Sequence, residues 1–156
     1  IMFSNLNSYD ADTIARKLPK SIVLNLGLYG HDRTLEWAKE GLKKYGSYWW
    51  RSQGWFLSGM PRQLSERGFD ILSCSSNWVD VSNKKKYPVV KYGKDYPQDR
   101  QSIAWFHDLL AKEVAPERLI GGMTAPWAIM EGKYLPYWLD GIDQLADAMD
   151  AHGWRS

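Results

Sequence analysis

The chain has 156 residues, a net charge of +2 and nine tryptophans. Its length allows one domain with a sizeable core, but a closed barrel of eight alternating strands and helices needs about 250 residues. The small charge gives no indication of a nucleic-acid or membrane partner, and no apolar stretch reaches the about 20 residues of a membrane-spanning helix.

Four short apolar runs occur along the chain, and stretches with helical spacing separate them. The runs are residues 1–3, 21–26, 70–74 and 118–122. Alternation of this kind predicts an α/β fold with about four parallel strands and flanking helices. We therefore expect residues 1–156 to form a single domain, a partial β/α barrel of half the usual size.

The first half of the chain carries clear helix signals and one ambiguous segment. Asp32 is a suitable N-cap for a helix over 33–44, which Gly46 would end. Residues 47–60 are rich in aromatic side chains and predict either a pair of strands or an ordered loop. Pro61 can begin a short helix over 62–67 that Gly68 closes.

The second half begins with a long irregular segment, residues 76–98, in which lysines and prolines interrupt any periodic pattern. Asp99 is expected to cap a helix over 100–113. After a further loop over 128–137, the last helix is predicted over 138–151. Its apolar stripe contains five residues, Leu139, Ile142, Leu145, Ala146 and Met149.

The candidate binding residues follow the predicted strands. In β/α folds the loops at the carboxyl ends of the strands bind ligands. These loops combine aromatic rings with amides and carboxylates, a chemistry that suits sugars because a flat ring packs on the pyranose C–H groups. The candidate ligand-binding residues are Tyr29, His31, Asn77, Trp78, Asp80 and Trp127.

Other kinds of site have weaker support. The three histidines are isolated in sequence and Cys74 is the only cysteine, so we expect neither a metal site nor a cofactor. No nucleophile motif or phosphate-binding loop occurs, and no catalytic residue is assigned. Cys74 is expected to be a buried apolar residue, and His107 a structural or solvated one.

Three stretches resemble the catalytic barrel of glycoside hydrolase family 20, the β-N-acetylhexosaminidases and their relatives. Residues 1–4 with 14–24 are similar to the fifth strand and the approach to the sixth. Residues 68–80 are similar to the seventh strand and its aromatic–x–Asp tip, and residues 120–127 to the eighth strand with its glycine pair and tryptophan. The resemblance implies strands five to eight of a TIM barrel.

The resemblance also implies a function. The family uses substrate-assisted catalysis, in which the acetamido oxygen of the sugar attacks the anomeric carbon, and an Asp–Glu pair after strand four supports it. No such dipeptide occurs in this chain. The isolated chain is therefore expected to bind an N-acetylhexosamine-type sugar without cleaving it, with Trp78 near the acetamido group, Asp80 on the hydroxyls and Trp127 stacked on the ring.

The sequence departs from the family at three strand tips. Tyr29 follows the sixth strand where the family has tryptophan, and Ile129 stands where an acid often follows the eighth. The tip of the fifth strand, residues 4–5, is Ser-Asn where the family is usually rich in tryptophan and aspartate. Two alternatives therefore stay open: a non-catalytic carbohydrate-binding or interaction module, and a small self-contained α/β enzyme that uses His31, Asp32 and Asp80.

A half barrel exposes sheet edges and an apolar interior. We therefore expect self-association or a partner N-terminal half, beside the carbohydrate ligand. The family resemblance implies an extracellular or cell-surface location.

Overall fold

The computed structural model describes residues 9–28, 33–75, 97–124 and 135–153. Six helices and three strands lie along these segments, with three consecutive helices between the first two strands and a short 3₁₀ turn at Pro116–Arg118 before the last strand. The elements are α1 (Ala11–Lys17), β1 (Leu24–Gly27), α2 (Leu35–Tyr45), α3 (Tyr48–Leu57), α4 (Met60–Glu66), β2 (Ile71–Ser75), α5 (Pro97–Glu113), β3 (Leu119–Thr124) and α6 (Leu135–Ala151).

The three strands form one parallel sheet in the order β1-β2-β3. Leu24 pairs with Ile71, and Ser75 pairs with Thr124. The register shifts once between β2 and β3, beside Ile71 and Leu72. The α/β class, the parallel sheet and the flanking helices that the sequence predicts are therefore confirmed.

The core lies between one face of the sheet and the helices. Alternate residues of the strands, among them Leu24, Leu26 and Ile71, join Phe106 of α5 in one buried cluster. Gly122 lies on the same face, because a Cβ built there would lie 2.6 Å from Leu145 Cδ1 of α6. The missing side chain at Gly122 thus lets Leu145 of α6 pack closely on β3.

Two helix starts differ from the sequence prediction. Asp32 lies outside the described residues, and the N-cap of α2 is Thr34, whose side chain accepts a hydrogen bond from the Trp37 backbone N–H. The predicted Asp32 cap is therefore wrong. Gly46 does end α2, in the left-handed conformation with φ 61°. Asp99 lies inside the first turn of α5, two residues after its start at Pro97.

Residues 47–60 are neither a strand pair nor a loop. They form α3 and the start of α4, and α2 and α3 pack together as a helical hairpin. A Cβ at Gly41 would clash with the indole of Trp50, so the missing side chain lets Trp50 lie directly on α2. Trp50 thus serves helix packing, which has no distinctive signal in a short run of rings.

The last helix buries a different stripe from the predicted one. Leu145 is buried as expected, and Gly141 and Ala148 complete its buried side. In contrast, Leu139 and Ile142 are 51% and 53% exposed. The described α6 therefore has a second apolar surface that does not contact the sheet.

The fourth predicted strand, residues 1–3, lies outside the described residues, as does most of the predicted loop over 76–98. The fourth strand and the half barrel stay predictions. Within the described segments, no helix combines the length and the apolar character required to cross a membrane.

Candidate functional site

The carboxyl edge of the sheet is where all three strands end side by side. Gly27 pairs with Cys74, and Ser75 pairs with Thr124. The Ser75 hydroxyl donates a 2.9 Å hydrogen bond to the Leu28 carbonyl and ties the ends of β1 and β2 together. The chain therefore leaves the same edge after β1, β2 and β3, as a parallel sheet requires.

All six predicted binding residues lie outside the described residues. Tyr29 and His31 follow the end of β1, Trp127 follows the end of β3, and Asn77, Trp78 and Asp80 follow the end of β2. What the structure describes is the edge at which these segments begin. Their assignment as ligand contacts stays a prediction.

The face of the sheet opposite α5 and α6 carries a polar group at its centre. Asn25 of β1 reaches across β2, and its Nδ2 donates to the Met123 sulfur at 3.1 Å. The Asn25 Oδ1 atom is buried and accepts no hydrogen bond from the described residues. A buried carbonyl oxygen without a donor costs about 1–3 kcal/mol, so a ligand hydroxyl or amide that reached it would be stabilised there.

Cys74 lies between these two residues on the same face and is 2% exposed. Burial raises the pKa of its thiol, and a hydrogen bond with Asn25 opposes that rise. The thiol is therefore neutral at pH 7 and a poor nucleophile. The expectation of a buried apolar cysteine is confirmed.

A serine and a histidine meet on the helix side of the sheet. Ser73 Oγ lies 2.9 Å from His107 Nδ1 of α5, and both residues are fully or almost fully buried. The His107 ring also packs against His152, whose Nε2 lies 2.7 Å from Asp108 Oδ1. Because no substrate could reach Ser73 here, the pair joins α5 to the sheet and is structural, as expected for His107.

The electrostatic surroundings of His107 agree with that role. Burial lowers the pKa of His107, the neighbouring His152 lowers it further, and Asp108 opposes the shift. The imidazole is therefore neutral at pH 7 and can share a hydrogen bond with the hydroxyl without a buried charge.

An aromatic group lies on the α2–α3 hairpin, and its first residue, Arg33, comes five residues after Leu28 in the sequence. The Arg33 guanidinium lies 4.4 Å from the centre of the Trp37 ring, and Trp37 lies 4.5 Å from Trp50. Trp50 stacks on Tyr45 at 5.7 Å, and Lys44 Nζ lies over Tyr45. We call these five residues the cation–aromatic ladder.

The sequence prediction missed Asn25 and Arg33. Asn25 is the single polar residue in the apolar run 22–26, which is a weak signal of a polar contact on a buried strand. Arg33 stands four residues before Trp37, the spacing of side chains that meet on a helix, but their contact depends on where α2 begins.

The opposite edge of the sheet has a different character. A cavity of about 420 Å³ lies there, lined by charged groups. Its Arg62 pairs with Glu113 at 2.7 Å, and its Arg118 pairs with Asp70 at 2.8 Å. Both cations are already neutralised within the chain, so this edge has a structural role. Among the residues that the structure describes, no group of three or more metal-ligating side chains occurs.

Comparison of the chain with protein-family models, with curated proteins and with solved structures gives no match.

Proposed function

We propose that this chain is the sugar-binding part of a glycosidase-like β/α fold, which binds an N-acetylhexosamine-type sugar at the carboxyl edge of its sheet. In this proposal the fold is a half barrel that corresponds to strands five to eight of a TIM barrel. The isolated chain binds the sugar without hydrolysing it, because the Asp–Glu pair of the resembled family does not occur in its sequence.

The observation that carries the proposal is the common end of the three strands. Their register brings Leu28, Ser75 and Thr124 to one edge, and the segments that contain the predicted binding residues begin there. Ligand sites of parallel sheets lie at this edge. The buried Oδ1 of Asn25 adds an acceptor that none of the described residues uses.

The roles of individual residues rest on chemistry and on the family resemblance. Trp127 and Trp78 offer indole faces to the C–H side of a pyranose, and Asp80 accepts hydrogen bonds from its hydroxyls. The acetamido N–H or a hydroxyl of the same sugar can donate to Asn25. An N-acetylhexosamine therefore uses both the apolar and the polar groups of this edge.

Isothermal titration calorimetry tests the proposal with N-acetylglucosamine and, as a matched sugar without the acetamido group, glucose. We expect saturable binding of N-acetylglucosamine, weaker binding of glucose, and a loss of about tenfold or more in affinity for Trp127→Ala and Asp80→Asn. Asp147→Ala, a change at an exposed position of α6, is the control and should bind like the unmodified chain.

Other outcomes separate the alternatives. An absence of sugar binding would overturn the proposal. Turnover of p-nitrophenyl N-acetylglucosaminide that is lost in Asp80→Asn would instead favour the self-contained enzyme with His31, Asp32 and Asp80. Binding without turnover when the chain is part of a longer protein would favour the non-catalytic module.

A further inference from the structure

We propose that Arg33 binds a carboxylate of the ligand, so that the glycan at the carboxyl edge is acidic: an N-acetylhexosamine next to a carboxylate-bearing sugar. This inference rests on the proposed function and adds the class of ligand to it. It follows from the bonding, the electrostatics and the position of Arg33.

The residues that the structure describes leave the hydrogen-bonding capacity of Arg33 largely unused. Its guanidinium carbon lies 4.4 Å from the centre of the Trp37 ring, a cation–π contact, and no acceptor among the described residues bonds its buried Nε–H. None of the described carboxylates forms an ion pair with it. By contrast, Arg62, Arg67 and Arg118 each pair with a carboxylate at 2.7–2.8 Å.

The position of Arg33 next to a helix terminus strengthens the case for an anion. Thr34 is the N-cap of α2, so Arg33 directly precedes the positive end of the helix dipole. A cation at that place is unfavourable in the chain alone, whereas an anion between the guanidinium and the helix terminus would be attracted by both. Such a local conflict is typical of a binding residue.

The cation–aromatic ladder fixes the guanidinium in place. Trp37 packs against Trp50, and Trp50 lies directly on Gly41 of α2. A guanidinium held against a ring loses little side-chain freedom when it binds, and its planar fork matches the two oxygens of a carboxylate. A sulfate or phosphate ester can also present two oxygens to the same fork, so a titration with sulfate is needed to distinguish it from a carboxylate.

The ladder is also close enough to the sugar edge to act on the same ligand. Leu28 lies at the carboxyl edge. Arg33 is five residues further along the chain, so the two residues are at most about 18 Å apart. An oligosaccharide of a few rings covers such a distance. Arg33 can therefore contact a neighbouring sugar of the same glycan.

The test compares two tetrasaccharides that differ in charge. A hyaluronan tetrasaccharide alternates N-acetylglucosamine with glucuronate, and chitotetraose is a neutral chain of N-acetylglucosamine. In calorimetric titrations we expect the chain to bind the hyaluronan fragment about tenfold more tightly. Arg33→Gln should remove this preference and leave the affinity for chitotetraose unchanged, and Arg33→Lys should restore only part of it.

Arg51→Gln is the matched control. It removes the same net charge from an exposed position of the same hairpin, so a preference that came from overall charge would fall equally in both variants. An inorganic sulfate titration distinguishes a general anion site, because sulfate would then displace the hyaluronan fragment at low millimolar concentration. That displacement would overturn the carboxylate assignment.

The outcomes separate this inference from the proposed function. Equal binding of the two tetrasaccharides, or a preference that survives Arg33→Gln, overturns the acidic ligand while sugar binding at the edge stands. If neither tetrasaccharide binds, the proposed function fails. A titration with free glucuronate then tests carboxylate binding by Arg33. Binding that Arg33→Gln abolishes supports this role, and an absence of glucuronate binding overturns it.

Discussion

Single glycines decide how closely the helices of the hairpin approach. A Cβ at Gly41 would clash with the Trp50 ring, whereas a Cβ at Gly54 would lie 3.8 Å from Ala38 Cβ, an ordinary contact. Alanine is about 1 kcal/mol better than glycine inside a helix. We therefore expect Gly54→Ala to stabilise the fold by up to about 1 kcal/mol, and Gly41→Ala to destabilise it by about 1–3 kcal/mol through overpacking. Urea unfolding of both variants checks this, and equal effects would contradict it.

The buried imidazole of His107 makes stability depend on pH. Burial lowers its pKa in the folded chain from the ordinary 6.5, so the unfolded chain binds the proton more readily. This contribution to stability is complete above about pH 6.5 and is lost as the pH falls below it, by at most about 1.4 kcal/mol per pH unit. The urea concentration at the unfolding midpoint should therefore decrease as the pH is lowered from about 7.5 to about 5.5.

Two variants assign that pH dependence. His107→Gln keeps a polar group beside Ser73 but cannot titrate, so its urea midpoint should fall less over the same pH range. His152→Gln removes the smaller cause of the shift and leaves the burial of His107, so most of the dependence should remain. A dependence that is unchanged in His107→Gln would show that another group is responsible.

The two ends of α2 show what residue type alone can and cannot predict. Asp32 and Thr34 are both good N-cap residues and stand two positions apart, so the sequence does not choose between them. The choice of Thr34 follows from the tertiary position of α2. Gly46 was predictable because a left-handed residue after a helix is nearly always glycine.

At the scale of elements, α6 offers a direct comparison of two leucines. Leu145 is 9% exposed and faces Gly122 of β3, whereas Leu139 is 51% exposed on the same helix. Leu145→Ala should therefore cost about 2–4 kcal/mol of unfolding free energy, and Leu139→Ala less than about 0.5 kcal/mol. Thermal and urea unfolding measure both. Similar losses for the two variants would mean that Leu139 packs as tightly as Leu145.

Strands were easier to predict than the helical hairpin, for a physical reason. Each strand is a short apolar run that turn-forming residues flank on both sides. Its apolar side chains are buried in the core whichever elements pack next to it. In contrast, α3 has tryptophans on several sides, and its helical state depends on contacts with α2 that are distant in sequence. The predicted apolar stripe of α6 was only partly right. Leu139 and Ile142 fit the helical spacing, but no described element packs over them.

At the scale of the whole molecule, the sheet edge that forms the candidate site was predictable, and the polar groups described near it were not. The rule that ligands bind at the carboxyl ends of parallel strands needs only the order of elements. Asn25 and Arg33 required the register of β1 with β2 and β3 and the start of α2, which no local pattern gives. The six predicted residues lie beyond the described strand ends, and their roles stay predictions.

The exposed apolar side chains concentrate at one side of the described molecule. Ile120 and Met123 of β3, together with Leu139 and Ile142 of α6, are all at least 39% exposed. β3 is an edge strand of the described sheet, and α6 packs on it. Helix α5 follows β2 in the chain and packs on both β2 and β3. Helix α6 follows β3 in the same way, so it is placed to pack on a further strand beyond β3 as well. A second copy or a partner half would bury this surface.

We therefore expect light scattering to give a mass that rises above the 18.0 kDa of the monomer with increasing concentration. The double variant L139E/I142E places charge on this surface and should lower the mass at each concentration. Tyr9→Glu combined with Tyr45→Glu adds the same charge at two other exposed positions and should leave the association unchanged. A monomer at every concentration would contradict self-association, and equal effects of the two double variants would show that net charge, not this surface, controls it.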